Sequence, residues 1–255
     1  MTQQDDIIEQ VSGLLERAWL SGECLSSLPD ACRPADQAQA YRIQRRLAER
    51  LGPTGGWKVG APSPEGAPHY APLPARFLQH GPTTCRLDEL GRAILEAELA
   101  FALKEDLPPR ETPYGRDEVL SAVASVHAVI EIVDSRFRDW PEGTDKLSQL
   151  ADLQNFGRLI VGEGQAEWSA LDLGRVPVSL TLDGALEVSA VGGNPAGDPV
   201  ALLVWLANAL PATGQWLRAG EVVTCGSCTG KTPVGEPVRA TATFEGVGRA
   251  EVELV

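Results

Sequence analysis

The sequence predicts an α+β protein, with a helical cap on a mixed, β-rich core. Three observations carry this expectation. Apolar residues recur at helical spacing through the first fifty positions. From residue 53 onward, short alternating or β-branched runs bounded by Gly, Pro and Asp take over. The chain has 255 residues, 43% apolar and 22% charged, which suffices for one full-sized core. No internal repeat or low-complexity tract interrupts it. The expected division is residues 1–52 as a helical region packing on the core and 53–255 as the β-rich catalytic domain.

In order, residues 3–20 read as an amphipathic helix carrying Ile7, Ile8, Val11, Leu14, Leu15 and Ala18 on one side. Asp5, Asp6 and Glu9 lie early, where the helix dipole favours them. A Cys-, Ser- and Pro-rich loop leads to a second helix, Ala35 to Leu51, stopped by Gly52-Pro53. Gly55 to Gly60 is a short strand with Lys58 between apolar neighbours. Six prolines between Pro62 and Pro82 predict a long loop. Strands follow at 83–87 and 94–103, then a helix over 116–126 and an interior strand over 127–134. A short helix at 147–156 leads into a strand at 158–162. Asp183-Gly184 marks a hairpin between 176–182 and 186–191. Asp198 caps a helix starting at Pro199. Strands at 221–225, 237–244 and 249–254 close the chain.

The formal net charge of −13 argues against nucleic acid or an anionic membrane as partner. No apolar run reaches membrane-spanning length. The acidic N-terminal stretch lacks the pattern of a secretory signal. Five cysteines, an odd number without framework spacing, read as reduced thiols in a cytoplasmic protein.

Candidate chemistry centres on Ile94 to Leu103, where Glu96 and Glu98 interrupt an apolar run. On a strand, side chains two apart share a face roughly 6–7 Å apart, whereas on a helix they diverge by about 200°. Glu96 and Glu98 then face one way and Leu95, Ala97, Leu99 and Phe101 the other. A divalent cation would remove the cost of two such carboxylates; a solvated strand face is the alternative. Glu131, flanked by Ile130 and Ile132 in an interior strand, is costly unless paired or liganded. Lys58 is either an outward strand lysine or an active-site group.

Other chemistries are poorly supported. The segment 224–232 resembles a phosphate-binding loop but has Cys225 where Gly is required, and Pro233 blocks the following helix. Cys225 and Cys228 have no second pair for zinc. There is no Gly-x-Ser-x-Gly elbow and no dinucleotide fingerprint. With three histidines in the chain, an oxygen-ligand site for Mg²⁺, Mn²⁺ or Ca²⁺ is the better fit. The Gly226–Thr229 turn offers N–H groups and hydroxyls suited to an anion.

Five segments occur in an order seen elsewhere. They are Gly56-Trp57-Lys58-Val59-Gly60; Glu96-Ala97-Glu98 with Asp106-Leu107-Pro108; Ile130 to Arg136; Leu150 to Asn155; and Ala219-Gly220-Glu221 with Gly226 to Thr229. Together they resemble the 2-keto-4-pentenoate hydratase, 2-oxohept-enedioate hydratase and 4-oxalocrotonate decarboxylase branch of the fumarylacetoacetate hydrolase superfamily. The resemblance runs from about residue 35 to the C-terminus.

It implies a mixed β-roll core with an N-terminal helical region. It implies one Mg²⁺ or Mn²⁺ on Glu96, Glu98 and Glu131, with Lys58 as the active-site lysine. Gln154, Ser227 and Thr229 would face a small 2-oxo acid. A desolvated Lys58 is expected to have a lowered pKa and to shuttle protons. Where relatives carry Pro-Asp-(Phe/Tyr)-Gly, this chain has Pro68-His69-Tyr70-Ala71, which makes His69 a candidate acid/base. Phe156 replaces a small or hydroxyl residue and is expected to alter substrate shape or water handling.

The activity implied is hydration of a 2-hydroxy-2,4-dienoate to a 4-hydroxy-2-oxo acid in aromatic catabolism. Decarboxylation of an unsaturated 2-oxo diacid and hydrolysis of an acylpyruvate are the enzymatic alternatives. A non-catalytic partner subunit that binds metal or 2-oxo acid is the alternative outside catalysis. The resemblance also implies a homo-oligomer and leaves room for a complex with a related decarboxylase or hydratase.

Overall fold

A computed structural model describes residues 3–255. In chain order the elements are α1 (Gln3–Ser21), α2 (Gln37–Leu51), β1 (Thr54–Gly60), β2 (His69–Pro74), β3 (Leu78–His80), β4 (Thr83–Cys85) and β5 (Ala93–Leu103). There follow α3 (Arg116–Ser121), β6 (Val123–Val133), α4 (Lys146–Ala151), β7 (Phe156–Gln165), β8 (Pro177–Leu182) and β9 (Ala185–Val191). The last are α5 (Pro199–Ala209), β10 (Val222–Ser227), β11 (Thr232–Val234), β12 (Val238–Phe244) and β13 (Gly248–Leu254).

Two mixed sheets form the core, consistent with the α+β roll the sequence predicts. The larger runs β2-β1-β10-β5-β6-β7-β3, with β11 also paired to β5. The smaller runs β4-β13-β12-β8-β9. The side-chain period of two sorts β5 and β6 cleanly. Leu95, Ala97, Leu99, Phe101, Ala128, Ile130 and Ile132 join Leu180, Ala242, Phe244 and Val252 in the core between the sheets. Ile94, Ala100, Val129 and Val133 point the other way and pack with Val11, Leu15, Ile43 and Leu47 of α1 and α2. Glu96, Glu98 and Glu131 fall on this second face by the same alternation.

Both long helices are set by local chemistry. Asp36 caps α2 by accepting from the Gln39 N–H, and Gly52 at φ 130° ends it. Arg46 and Arg50 of α2 both pair with Glu9 of α1. Asp198 caps α5 at Val200, with Pro199 in its first turn, as the sequence predicts. No helix is long and apolar enough to cross a membrane.

Several local expectations are corrected. The Pro-rich stretch is not all loop: His69–Pro74 is an antiparallel edge strand on β1. Proline is tolerated there because an edge strand leaves donor positions unpaired. The helix expected over 116–126 stops at Ser121, because Val123 and Val126 already pair with Leu103 and Phe101 of β5. The helix expected to reach 156 stops at Ala151. Beyond it, Leu153, Gln154 and Asn155 take φ of 48°, 53° and 57°. Phe156 does not shape a cleft: it is fully buried, with its ring 6.1 Å from that of Trp19.

Candidate metal and active site

On the helix-covered face of the large sheet, β5 and β6 bring three carboxylates together. The register sets Glu96 directly opposite Glu131, while Glu98 lies one alternation further along β5. One oxygen from each of Glu96, Glu98 and Glu131 lies within 4.8 Å of the others. Glu98 and Glu131 are buried, and Glu96 is half-buried. Like charges directly opposed in a sheet repel. Burial and the Glu131 charge push Glu96 up to about 7. Burial, Glu131 and Glu96 push Glu98 up to about 8.

Lys58 of β1 reaches this cluster and donates to Glu131 and, at 3.4 Å, to the Gln154 carbonyl. Its pKa corrects the expectation. Burial pulls it down, but Glu131, Glu96 and Glu98 outweigh burial and hold the ammonium above its ordinary value. Lys58 is a charged donor here, not a free amine.

The turn after β10 is clamped onto the Glu-Ala-Glu segment. Glu98 Oε2 accepts from the Thr224 hydroxyl and, at 2.9 Å, from the Gly226 N–H. The Cys228 N–H donates to the Ala97 carbonyl at 2.8 Å, and the Ala97 N–H donates to Thr229 Oγ1 at 3.1 Å. Thr229 is thus occupied with the strand and is not among the cleft residues, whereas Ser227 lines the cleft and donates to the Gly230 carbonyl.

The cleft above the carboxylates has a volume of about 340 Å³ and is lined by Lys58, His69, Glu96, Glu98, Gln154 and Ser227 among others. His69 takes a hydrogen bond on Nδ1 from the Gln37 amide at 3.0 Å, which leaves its proton on Nε2. Burial and the nearby Lys146 lower its pKa, so it is neutral near pH 7.

Gln154 is presented by the left-handed run 153–155, a conformation costly for side-chain-bearing residues. Arg136 holds that run in place. It pairs with Asp152 and Asp134, donates to the Phe156 carbonyl and stacks over Trp19 at 3.9 Å.

Trp140, Asn155, Asn194, Thr224 and Lys231 belong to the site or its frame but are not marked by the sequence reading. Asn194 lies in the Gly192–Pro195 turn and donates to the Cys225 carbonyl at 2.6 Å. Gly193 beside it must be glycine: at φ 85°, a Cβ would stand 2.2 Å from the Cys228 carbonyl oxygen. A glycine pair before an Asn was the only available hint.

The donor set fits a hard divalent cation. All three groups are carboxylates, the type preferred by Mg²⁺, Mn²⁺ and Ca²⁺. Glu131 Oε2 is buried without a hydrogen-bond partner among the described residues, a costly state that a cation would relieve.

No family model matches the chain. It is 29% identical to a 2-keto-4-pentenoate hydratase from Paraburkholderia phymatum, covering 96% of both chains. It is 33% identical to a 2-hydroxyhexa-2,4-dienoate hydratase from Comamonas testosteroni over 62% of this chain and 59% of that one. In fold it is similar to a 4-oxalocrotonate decarboxylase from Pseudomonas putida G7 solved with magnesium and adipate. That match has a TM-score of 0.88 at 22% identity, covering 100% of this chain and 99% of the other.

Proposed function

We propose that this chain, which belongs to the 2-keto-4-pentenoate hydratase and 4-oxalocrotonate decarboxylase branch of the fumarylacetoacetate hydrolase superfamily, is a divalent-metal-dependent hydro-lyase. It converts a 2-hydroxy-2,4-dienoate, through its 2-oxo-3-enoate tautomer, to a 4-hydroxy-2-oxo acid in aromatic-compound catabolism. The observation that carries this reading is the convergence of three carboxylates, two buried and one half-buried, with a charged lysine against them. The hydratase names of relatives spanning nearly the whole chain support it.

Glu96, Glu98 and Glu131 would hold one Mg²⁺ or Mn²⁺. When bound, the cation supplies Lewis-acid stabilisation of negative charge on the oxygens of a 2-oxo acid. Lys58 supplies the second positive charge beside those oxygens and a proton for tautomerisation. His69, with its proton on Nε2, is the second proton carrier at the cleft wall. Asn155 Oδ1, buried without a partner among the described residues, is free to accept from a substrate hydroxyl or from water. Ser227 and Gln154 orient the substrate, and Thr229 acts through the strand it holds. The free state of all five cysteines supports a reducing, cytoplasmic setting. A homo-oligomer is the assembly expected from the resemblance.

The test is product analysis with Mg²⁺-loaded protein. Loss of dienoate absorbance with formation of a 4-hydroxy-2-oxo acid is expected. Release of CO₂ from an unsaturated 2-oxo diacid would identify a decarboxylase instead, and pyruvate plus a carboxylic acid would identify a hydrolase. Binding without turnover would identify a partner subunit. Lys58→Ala should lose about 10²–10⁴-fold in kcat, the range for a positioned proton-transfer group, while still binding the cation.

A further inference from the structure

We propose that Glu221 is a positioning residue of this enzyme: by holding Trp57 it fixes the strand that carries Lys58 relative to the three carboxylates. This rests on the role of Lys58 proposed above and goes beyond it, since neither Glu221 nor Trp57 has a part there.

Trp57 stands directly before Lys58 on β1, and Glu221 stands directly before Val222, the first residue of β10. The strand period of two points Trp57 away from the face that Lys58 uses. Its indole is buried in the core between the sheets. Trp57 and Glu221 line a cavity separate from the cleft lined by Lys58. An effect of either on the reaction must therefore travel along the backbone to Lys58.

Glu221 ties three strands together. Its Oε2 accepts from the Trp57 indole N–H at 2.9 Å and from the Arg218 N–H at 3.0 Å. Its own carbonyl accepts from the Leu103 N–H at 3.0 Å, at the end of β5. It leads straight into β10, where Val222, Val223 and Thr224 pair with Gly56, Trp57 and Lys58 of β1. One residue thus joins the strand of Lys58, the strand of Glu96 and Glu98, and the strand whose Thr224 donates to Glu98.

The β1–β10 contact needs such a tie. It is only three register pairs long and parallel, the weaker pairing per residue. Gly55 and Gly56 bring no side chain to it. Gly56 must be glycine, since a Cβ there would stand 2.3 Å from the Val222 carbonyl oxygen. Glu221 is buried, and burial pushes its carboxyl above the ordinary range, although the Arg218 N–H and the Trp57 indole stabilise its charge. A buried carboxylate is a costly way to fill space, but its hydrogen bonds are strong and directional. That suits a group whose work is to hold a strand in one place. Lys58 depends on the placement, because its ammonium must stay against Glu131 and the Gln154 carbonyl.

The test is kinetic, on the Mg²⁺-loaded full chain, with folding checked by circular dichroism. Glu221→Leu should lower kcat about 10–100-fold, the range for a misplacement of about 1 Å at a reacting group. Its KM and its Mg²⁺ affinity by calorimetry should be unchanged. Glu221→Gln keeps an acceptor for the indole and should restore most of the loss. Trp57→Phe, which removes the donor, should match Glu221→Leu and carries the test if that variant fails to fold. The decisive arm repeats Glu221→Leu and Trp57→Phe in a Lys58→Ala background, where neither should cost anything further. A full additional loss there overturns the proposal, because a merely structural role would act without Lys58. Wild-type kcat in Glu221→Leu overturns it too, as does a fall in Mg²⁺ affinity parallel to kcat. The kcat read is that of whichever reaction product analysis identifies. A decarboxylase or hydrolase outcome therefore overturns the hydro-lyase reading and leaves this test standing, whereas wild-type protein without any turnover overturns both.

Discussion

At the scale of the residue, the site works by keeping carboxylates where they are uncomfortable. Glu96 and Glu98 have pKa values of about 7 and 8 in the metal-free fold, against 4.5 ordinarily. Between pH 4.5 and about 8 the folded chain therefore binds more protons than the unfolded one. The linkage sign follows: metal-free stability is greatest at the acidic end of that window and falls as pH rises through it. Melting curves in EDTA from pH 5 to 8.5 should show a falling Tm, and a flat profile would contradict the raised values. Cation binding must displace those protons, so affinity should rise with pH over the same range. Glu98→Gln keeps an oxygen for Thr224 and Gly226 but loses the charge. It should keep its fold by circular dichroism and lose more than the ~100-fold in Mg²⁺ affinity that outer-sphere changes cost. The pairing of Glu96 with Glu98 was legible because a strand has a period of two. The charged state of Lys58 was not, because it depends on three carboxylates brought in from two other strands.

At the scale of the element, strands with strong alternation were read correctly and their ends were not. β5 and the Asp183-Gly184 hairpin match the sequence reading closely. The starts of β6 and β7 do not, since each begins where a partner strand is available rather than where local propensity changes. The run 153–155 shows the limit most clearly. Nothing in Leu-Gln-Asn announces three left-handed residues; Arg136 and Asp152, both buried, impose them from outside. Asp152 stays near 6 only because Arg136 and Trp19 offset its burial. Arg136→Met should leave that carboxyl unpaired and cost about 3–5 kcal/mol in urea denaturation. A loss below 1 kcal/mol would show that the run holds itself. The same change should impair turnover, because the Gln154 carbonyl would no longer be held against Lys58.

At the scale of the whole molecule, the site lies on the face of the large sheet against which α1 and α2 also pack, and strands and loops line its cleft. Val11, Leu15, Ile43 and Leu47 share one apolar cluster with Leu73, Phe77, Val129 and Phe156. We therefore propose that residues 1–52 and 53–255 fold as one unit. A chain starting at Pro53 should be recovered aggregated or unfolded, and a soluble, cooperatively melting fragment would refute this. The sequence by itself determined the α+β class, the shared face of Glu96 and Glu98, the expensive burial of Glu131 and the glycine-rich turn. Each of these follows from local periodicity, or from the cost of placing a polar group in an apolar run. Only the tertiary structure decided that Lys58 is charged, that Phe156 belongs to the core and that Thr229 serves the strand. It also placed Lys231 at the exposed rim of the cleft, over the buried ring of Trp140. Those outcomes depend on groups far apart in sequence meeting at one place, and neither spacing nor composition encodes a distance across the fold.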